Sequence, residues 1–241
     1  WWVIMASDRY MIRFFLGSSF VGLYSVASKV PTIMQTFIGL LQTSCQLTVN
    51  EMYEMTPGEL KIFFKYFTGF CQESSFICGS ILLILCQPIM FMLAKNDFYT
   101  GWIYVPFLVL AIIFSMASGM VSTLYGAYKQ NRGALFSSTL GAMINIILNL
   151  LLIPLIGITG ATIATALSRL FITIYCLIDT KRFLDFDRGY LKIAVNGIVL
   201  TLQAVCLITF DKYRYGIQIC FLFLILTMNR SVFHKLRGLK K

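Results

Sequence analysis

Long apolar runs, separated by short polar breaks, dominate this chain from end to end. The runs do not alternate residue by residue, and they are too long for strands, so the pattern predicts helices. A bilayer core of ~30 Å takes about 20 apolar residues in helical form. On that ruler the spans fall near 1–16, 22–48, 74–94, 102–126, 134–154, 160–178, 192–210 and 215–230, eight helices of which the last is short. The breaks have recognisable causes. Pro154 with Gly157 and Gly160 interrupts one run, and Lys95-Asn96-Asp97 makes a polar turn. Tyr99, Trp102 and Tyr104 read as an interfacial aromatic belt. The stretch 51–66, with Thr56-Pro57-Gly58-Glu59, reads as a polar turn running into the start of an amphipathic helix. Residue 1 is Trp inside an apolar run already under way, and no signal peptide is visible, so the chain is read as a fragment lacking its N-terminal part.

Composition sharpens this picture. Residues are 58% hydrophobic and 12% charged, with mean hydropathy +0.79, whereas soluble domains carry about 25% charged residues. A net charge of +10 would point a soluble protein towards nucleic acid, but here most cations sit in short connections between spans, and no nucleic-acid partner is expected. Thirteen Lys and Arg occupy alternate connections and the C-terminal tail, against three (Lys95, Lys212 and Arg214) on the opposite side. The positive-inside rule then puts the C-terminus in the cytoplasm. The seven cysteines all lie in apolar segments and form no CxxC, so they read as buried thiols. The lone histidine, His234, lies in the basic tail, which leaves no material for a zinc site or a His-based catalytic centre.

Four cations remain inside the predicted spans: Arg9, Arg13, Lys29 and Arg169. Each costs roughly 2.5–3.5 kcal/mol at a helix centre, so they are expected to face a protein interior or a hydrated cavity. Arg169 lies mid-span, and Thr162, Thr165, Arg169 and Thr173 share a helix face. Gly160, Ala164 and Ser168 form a small-residue ridge for close helix contact. Arg9 and Arg13 share a face, and Asp8 points about 100° away from Arg9. Arg13 also fits a place near the outer interface, Asp8 and Lys29 also fit a structural ion pair, and Arg169 also fits a structural interhelical donor. Pro31 predicts a kink beside Lys29. Glu73 reads as an interface residue. The stripe Gly133, Ser137, Gly141, Asn145 and Asn149 reads as helix packing with amide cross-links, with Asn145 and Asn149 as further candidates for a cavity wall. Embedded cations outnumber deep acids, so a cavity lined by them carries positive potential and suits an anionic solute such as a phosphate or pyrophosphate head group.

Ser7-Asp8-Arg9, Leu16-Gly17 and Gly22-Leu23-Tyr24-Ser25-Val26-Ala27-Ser28-Lys29 resemble the start of the second half of Wzx-type polysaccharide flippases, within the multidrug/oligosaccharidyl-lipid/polysaccharide exporter superfamily. Asn145 to Asn149, Ile153-Pro154, Gly157, Gly160-Ala161-Thr162-Ile163-Ala164-Thr165 and Ser168 resemble a later stretch of the same family, and the likeness covers roughly residues 5–180. The resemblance implies an all-α polytopic membrane protein, the second six-helix bundle of a MATE-like transporter plus two extra C-terminal helices. The corresponding divisions are 1–178 for the bundle, 179–191 for a cytoplasmic loop, 192–230 for the two helices and 231–241 for the tail. It implies a transporter in the cytoplasmic (inner) membrane that moves undecaprenyl-pyrophosphate-linked oligosaccharides for O-antigen or capsule-type polysaccharide. Alternating access would be coupled to an ion gradient of H+ or Na+, with no other cofactor and no metal site. Expected partners are the anionic lipid-linked glycan, membrane lipids and membrane proteins of glycan assembly. Arg9 and Lys29 match motif positions, and Arg169 follows the Gly160–Ser168 segment. Arg9, Arg13, Lys29 and Arg169 are the candidate substrate-binding cations. Asp8, Asn145, Asn149, Thr165 and Thr173 are candidates for the cavity wall or a charge partner.

Two other functions compete. A multidrug or toxic-compound exporter of the same superfamily would want acids in its cavity. A membrane enzyme of glycan assembly, a polymerase or ligase, would want long outer loops carrying acids, His or Arg, and the longest outer connection here is about seven residues. No catalytic residue is expected.

Overall fold

The computed structural model describes residues 2–52, 57–94, 96–210 and 213–232. Among these the chain is all-helical, with no strand. Among the described residues nine α-helices run in order: α1 (Trp2–Leu16), α2 (Ser18–Ala27), α3 (Lys29–Met52), α4 (Pro57–Leu93), α5 (Val105–Ala127), α6 (Arg132–Ile156), α7 (Ile158–Asp179), α8 (Tyr190–Thr209) and α9 (Arg214–Met228). A 3-10 segment, Asn96–Tyr104, leads into α5, and Thr180–Arg182 forms another after α7. Five of the helical stretches are long and apolar enough to cross a membrane: those containing α4, α5, α6, α7 and α8. α9 is apolar but 15 residues long. α3 has the length, at 24 residues, but carries too many Gln, Thr and Ser side chains to meet the same measure.

The spans expected at 22–48 and 74–94 differ most from the structure. The first is two helices, α2 and α3, broken at Ser28, so that Pro31 falls in the first turn of α3, where a missing N–H costs nothing. The second is a 37-residue helix that starts at Pro57 and absorbs most of the predicted polar turn. Pro57 and Glu59 sit in its first turn, positions that favour proline and acids. α6 continues through Pro154, and the break comes at Gly157, whose φ of 65° and ψ of −142° suit glycine. Gly17, at φ 103°, separates α1 from α2 in the same way. Trp1, the 53–56 segment, Lys95, Lys212 and the tail from residue 233, with His234, lie outside the described residues.

α5 and α7 form the centre of the bundle and pack on each other, with α6 outside α7, α3 and α4 on the far side of α5, and α1 against α6 and α7. Along α6 the stripe Gly133, Ser137, Gly141, Asn145 and Asn149 is buried, while Leu135, Phe136, Met143, Ile147 and Leu151 face outward, as a lipid-facing helix requires. Gly160, Ala164 and Ser168 are likewise buried. α8 and α9 pack on each other and on α4. Their contacts include amide pairs beside buried Leu200, Ala204, Leu207 and Ile225: Asn196 with Asn229 at 3.3 and 2.7 Å, and Gln203 with Gln218 at 2.9 Å. Cys45, Cys71, Cys86 and Cys176 are buried as expected, but Cys206 is half-buried and Cys78 and Cys220 face outward. Glu73, expected at the cytoplasmic interface, has partners in the protein. It is buried within α4, accepts a hydrogen bond from Lys192 Nζ of α8 at 2.6 Å, and receives the Ser231 hydroxyl.

Candidate functional site

A cavity of about 390 Å³ opens between α1, α2, α3, α5 and α7. Two of the four embedded cations stand in its walls: Arg9 on α1 and Arg169 on α7. Arg169 is buried, 6% exposed, one turn beyond Thr165 on α7, while Arg9 is exposed. Lys29 and Arg13 are exposed on the outer faces of α3 and α1 and lie outside these walls. For Lys29 the reason is helical phase. Ser28, Thr32, Gln35, Gly39 and Gln42 recur every three or four residues and turn one face of α3 to the cavity, leaving Lys29 to the side. Arg13 is one turn past Arg9, at the end of α1, where that helix has passed the cavity.

The acid of the site is Asp8, 1% exposed. It does not pair with Lys29, and none of the three ion pairs among the described residues engages Arg9, Arg13 or Lys29. Its carboxylate turns into the bundle and gathers three helices. Tyr24 Oη of α2 donates to Oδ2 at 2.8 Å, Thr165 Oγ1 of α7 donates to Oδ2 at 2.7 Å, and Asn149 Nδ2 of α6 donates to Oδ1 at 2.6 Å. Asn145 extends the network, accepting from Asn149 at 3.2 Å and from Ser7 at 3.0 Å. Asn145 and Asn149 are therefore a layer behind the cavity rather than its lining, because α6 stands outside α7. Thr165 is in the wall. Thr173 is not: its hydroxyl donates to Phe114 O on α5 at 2.6 Å and ties α7 to α5. Thr162 is fully buried and donates to Thr159 O.

Both carboxylate oxygens of Asp8 are thus occupied by neutral donors from three other helices. No ion pair joins Asp8 to Arg9, and the cavity wall carries two guanidinium groups, whose planar fork suits phosphate-like oxygens. The sequence reading missed the glutamines of α3. Their signal was present: Ser28, Thr32, Gln35, Gly39 and Gln42 share a face by the same spacing that singled out Thr162 to Thr173.

No protein-family model matches the sequence, and no curated protein sequence matches it. Among solved structures, a lipid II flippase, MurJ, in its inward closed conformation, is similar over 99% of this chain and 52% of its own length, with TM-score 0.66 and 19% identity. The chain thus spans about half the length of that protein. At this identity the likeness concerns the fold: an all-helical, polytopic, MATE-like membrane bundle.

Proposed function

We propose that the chain is part of a flippase for a lipid-linked glycan, a transporter with no bond-making step. The observation that carries this reading is the sign of the cavity. Its walls hold Arg9 and Arg169, and its one acid, Asp8, is engaged by Tyr24, Asn149 and Thr165. Such a cavity attracts an anionic head group and repels organic cations, which argues against the multidrug exporter. A fold shared with a lipid II flippase supports the same class of cargo. In this reading the two arginines hold a pyrophosphate while the sugars cross in the hydrated cavity and the lipid tail stays in the bilayer. The finer proposal is an undecaprenyl-pyrophosphate-linked oligosaccharide destined for O-antigen or capsule-type polysaccharide, moved across the cytoplasmic membrane by rocking of two bundles. An H+ or Na+ gradient would drive the cycle, and Asp8 is the acid through which such an ion would act. The described helices α1–α7 belong to one bundle, α8 and α9 are the added pair, and the C-terminus faces the cytoplasm.

Charge reversal tests this. Arg9 is exposed to the cavity, so Arg9→Glu in the intact protein should insert normally and yet reduce surface glycan display to background, while Arg9→Lys retains much of it. Normal display in both Arg9→Glu and Arg169→Gln, at wild-type membrane abundance, overturns the proposal.

A further inference from the structure

A second cavity, of about 230 Å³, adjoins the first. Gln42 and Arg169 stand in the walls of both, so the two chambers meet at these side chains. The second chamber uses the next turns of the same helices. On α5 the lining moves from Ser115 to Ser118 and Ser122, on α7 from Thr165 to Arg169 and Ile172, and the start of α6 adds Ser137 and Ser138. Ser115 to Ser122 is a step of roughly 10 Å along a helix axis. In the orientation set by the loop charges, this chamber is on the cytoplasmic side of the first. Gly119 makes the junction. A Cβ there would lie 1.8 Å from Gln42 Nε2, so only bare backbone lets the amide rest between the chambers.

The chemistry of the two chambers differs. Apart from the shared Arg169, the second has neither cation nor acid in its walls. Three of its serines donate to their own helices: Ser118 to Ser115 O at 3.0 Å, Ser122 to Ser118 O at 2.6 Å and Ser137 to Ala134 O at 2.9 Å. A hydroxyl whose proton is used this way still has lone pairs to accept with. The wall therefore offers acceptors to hydroxyl donors, the Gln42 amide offers both kinds of group, and Ala134 and Ile172 supply an apolar floor. That lining fits a neutral polyhydroxylated ring, with its O–H edge and C–H face, better than it fits a phosphate. We propose that the second chamber is the glycan subsite: it holds the sugar next to the pyrophosphate while Arg169, at the junction, holds the phosphate. This assignment rests on the flippase reading above.

Two probes separate the assignment from the reading beneath it: undecaprenyl pyrophosphate, and the same lipid carrying one N-acetylglucosamine. Binding to the intact protein in nanodiscs is compared for wild type, Ser122→Val, Ser138→Val and Arg169→Gln. The valines fill the chamber from two different helices. They should weaken the sugar-bearing probe about tenfold and leave the sugar-free lipid within about twofold, which also shows that the variants are folded. Arg169→Gln should weaken both probes. Should valine prevent folding, Ser122→Ala/Ser138→Ala removes acceptors without adding volume and should weaken only the sugar-bearing probe, about three- to tenfold. Equal effects on the two probes, or none on either, overturn the glycan subsite and leave the pyrophosphate site standing. A wild-type protein that binds neither probe overturns the flippase reading itself, and the subsite with it.

Discussion

Gly160 gives a sharp structural prediction, because the contact it makes cannot relax. It lies in the first turn of α7, where an added Cβ would sit 2.3 Å from Leu152 O, 2.5 Å from Leu152 C and 2.9 Å from Ile153 N. These are backbone atoms of α6, so no side chain can swing aside. An ordinary carbon–oxygen contact is about 3.3 Å, so Gly160→Ala must part the two helices by roughly 1 Å. Overpacking of this kind costs about 1–3 kcal/mol. The separation also strains Asp8, which is held from α6 by Asn149 and from α7 by Thr165, and loss of one interhelical hydrogen bond in a membrane adds about 1 kcal/mol. The total is about 2–4 kcal/mol, or on the order of 5–15 °C in Tm for a chain of this size. Thermal unfolding in detergent, followed by tryptophan fluorescence, reads the shift. Gly216→Ala is the control, since nothing lies within 4 Å of a Cβ there. A Gly160→Ala protein melting within about 2 °C of wild type would refute the close α6–α7 packing on which the Asp8 network depends.

Two further predictions concern α8 and α9. Lys192→Met strands the buried Glu73 carboxylate and should lower Tm more than the double variant Lys192→Met/Glu73→Gln, a coupling of about 1–2 kcal/mol in a double-mutant cycle; additive Tm losses would contradict it. Gln203→Leu leaves Gln218 Oε1 without its cross-helix donor, although Gln218 Nε2 still donates to the Gln203 backbone carbonyl, and should destabilise by about 1 kcal/mol, while Gln203→Leu/Gln218→Leu should recover most of that loss on the same melting assay.

Much of the fold was legible because hydrocarbon imposes a length on every apolar run. α6, α7 and α8 begin and end within two residues of where the sequence puts them. Pro31 flagged a kink beside Lys29, but the division into α2 and α3 at Ser28 was read as one span. The length of α4 was not, because Thr56-Pro57-Gly58-Glu59 reads as a turn when the same Pro and Glu also start a helix. Of the site, Arg169 and Thr165 could be found from burial cost and helical phase. Asp8 could be seen as pointing away from Arg9, but its partners Asn149 and Thr165 come from helices more than 140 residues away, and no local pattern pairs them. Lys29 was misjudged for the opposite reason: its charge drew attention, while the cavity face of α3 is set by its uncharged neighbours Ser28, Thr32 and Gln35.

If the positive cavity receives an anionic lipid head, binding should show it. The direct measurement is equilibrium binding of undecaprenyl pyrophosphate and of ethidium, an organic cation, to the intact protein in nanodiscs at low and high salt. The pyrophosphate lipid is expected to bind, with an affinity that falls with added salt and on Arg9→Glu, and ethidium is expected to bind no better to wild type than to empty nanodiscs. Saturable ethidium binding that Arg9→Glu strengthens, with no binding of the pyrophosphate lipid, would contradict that expectation.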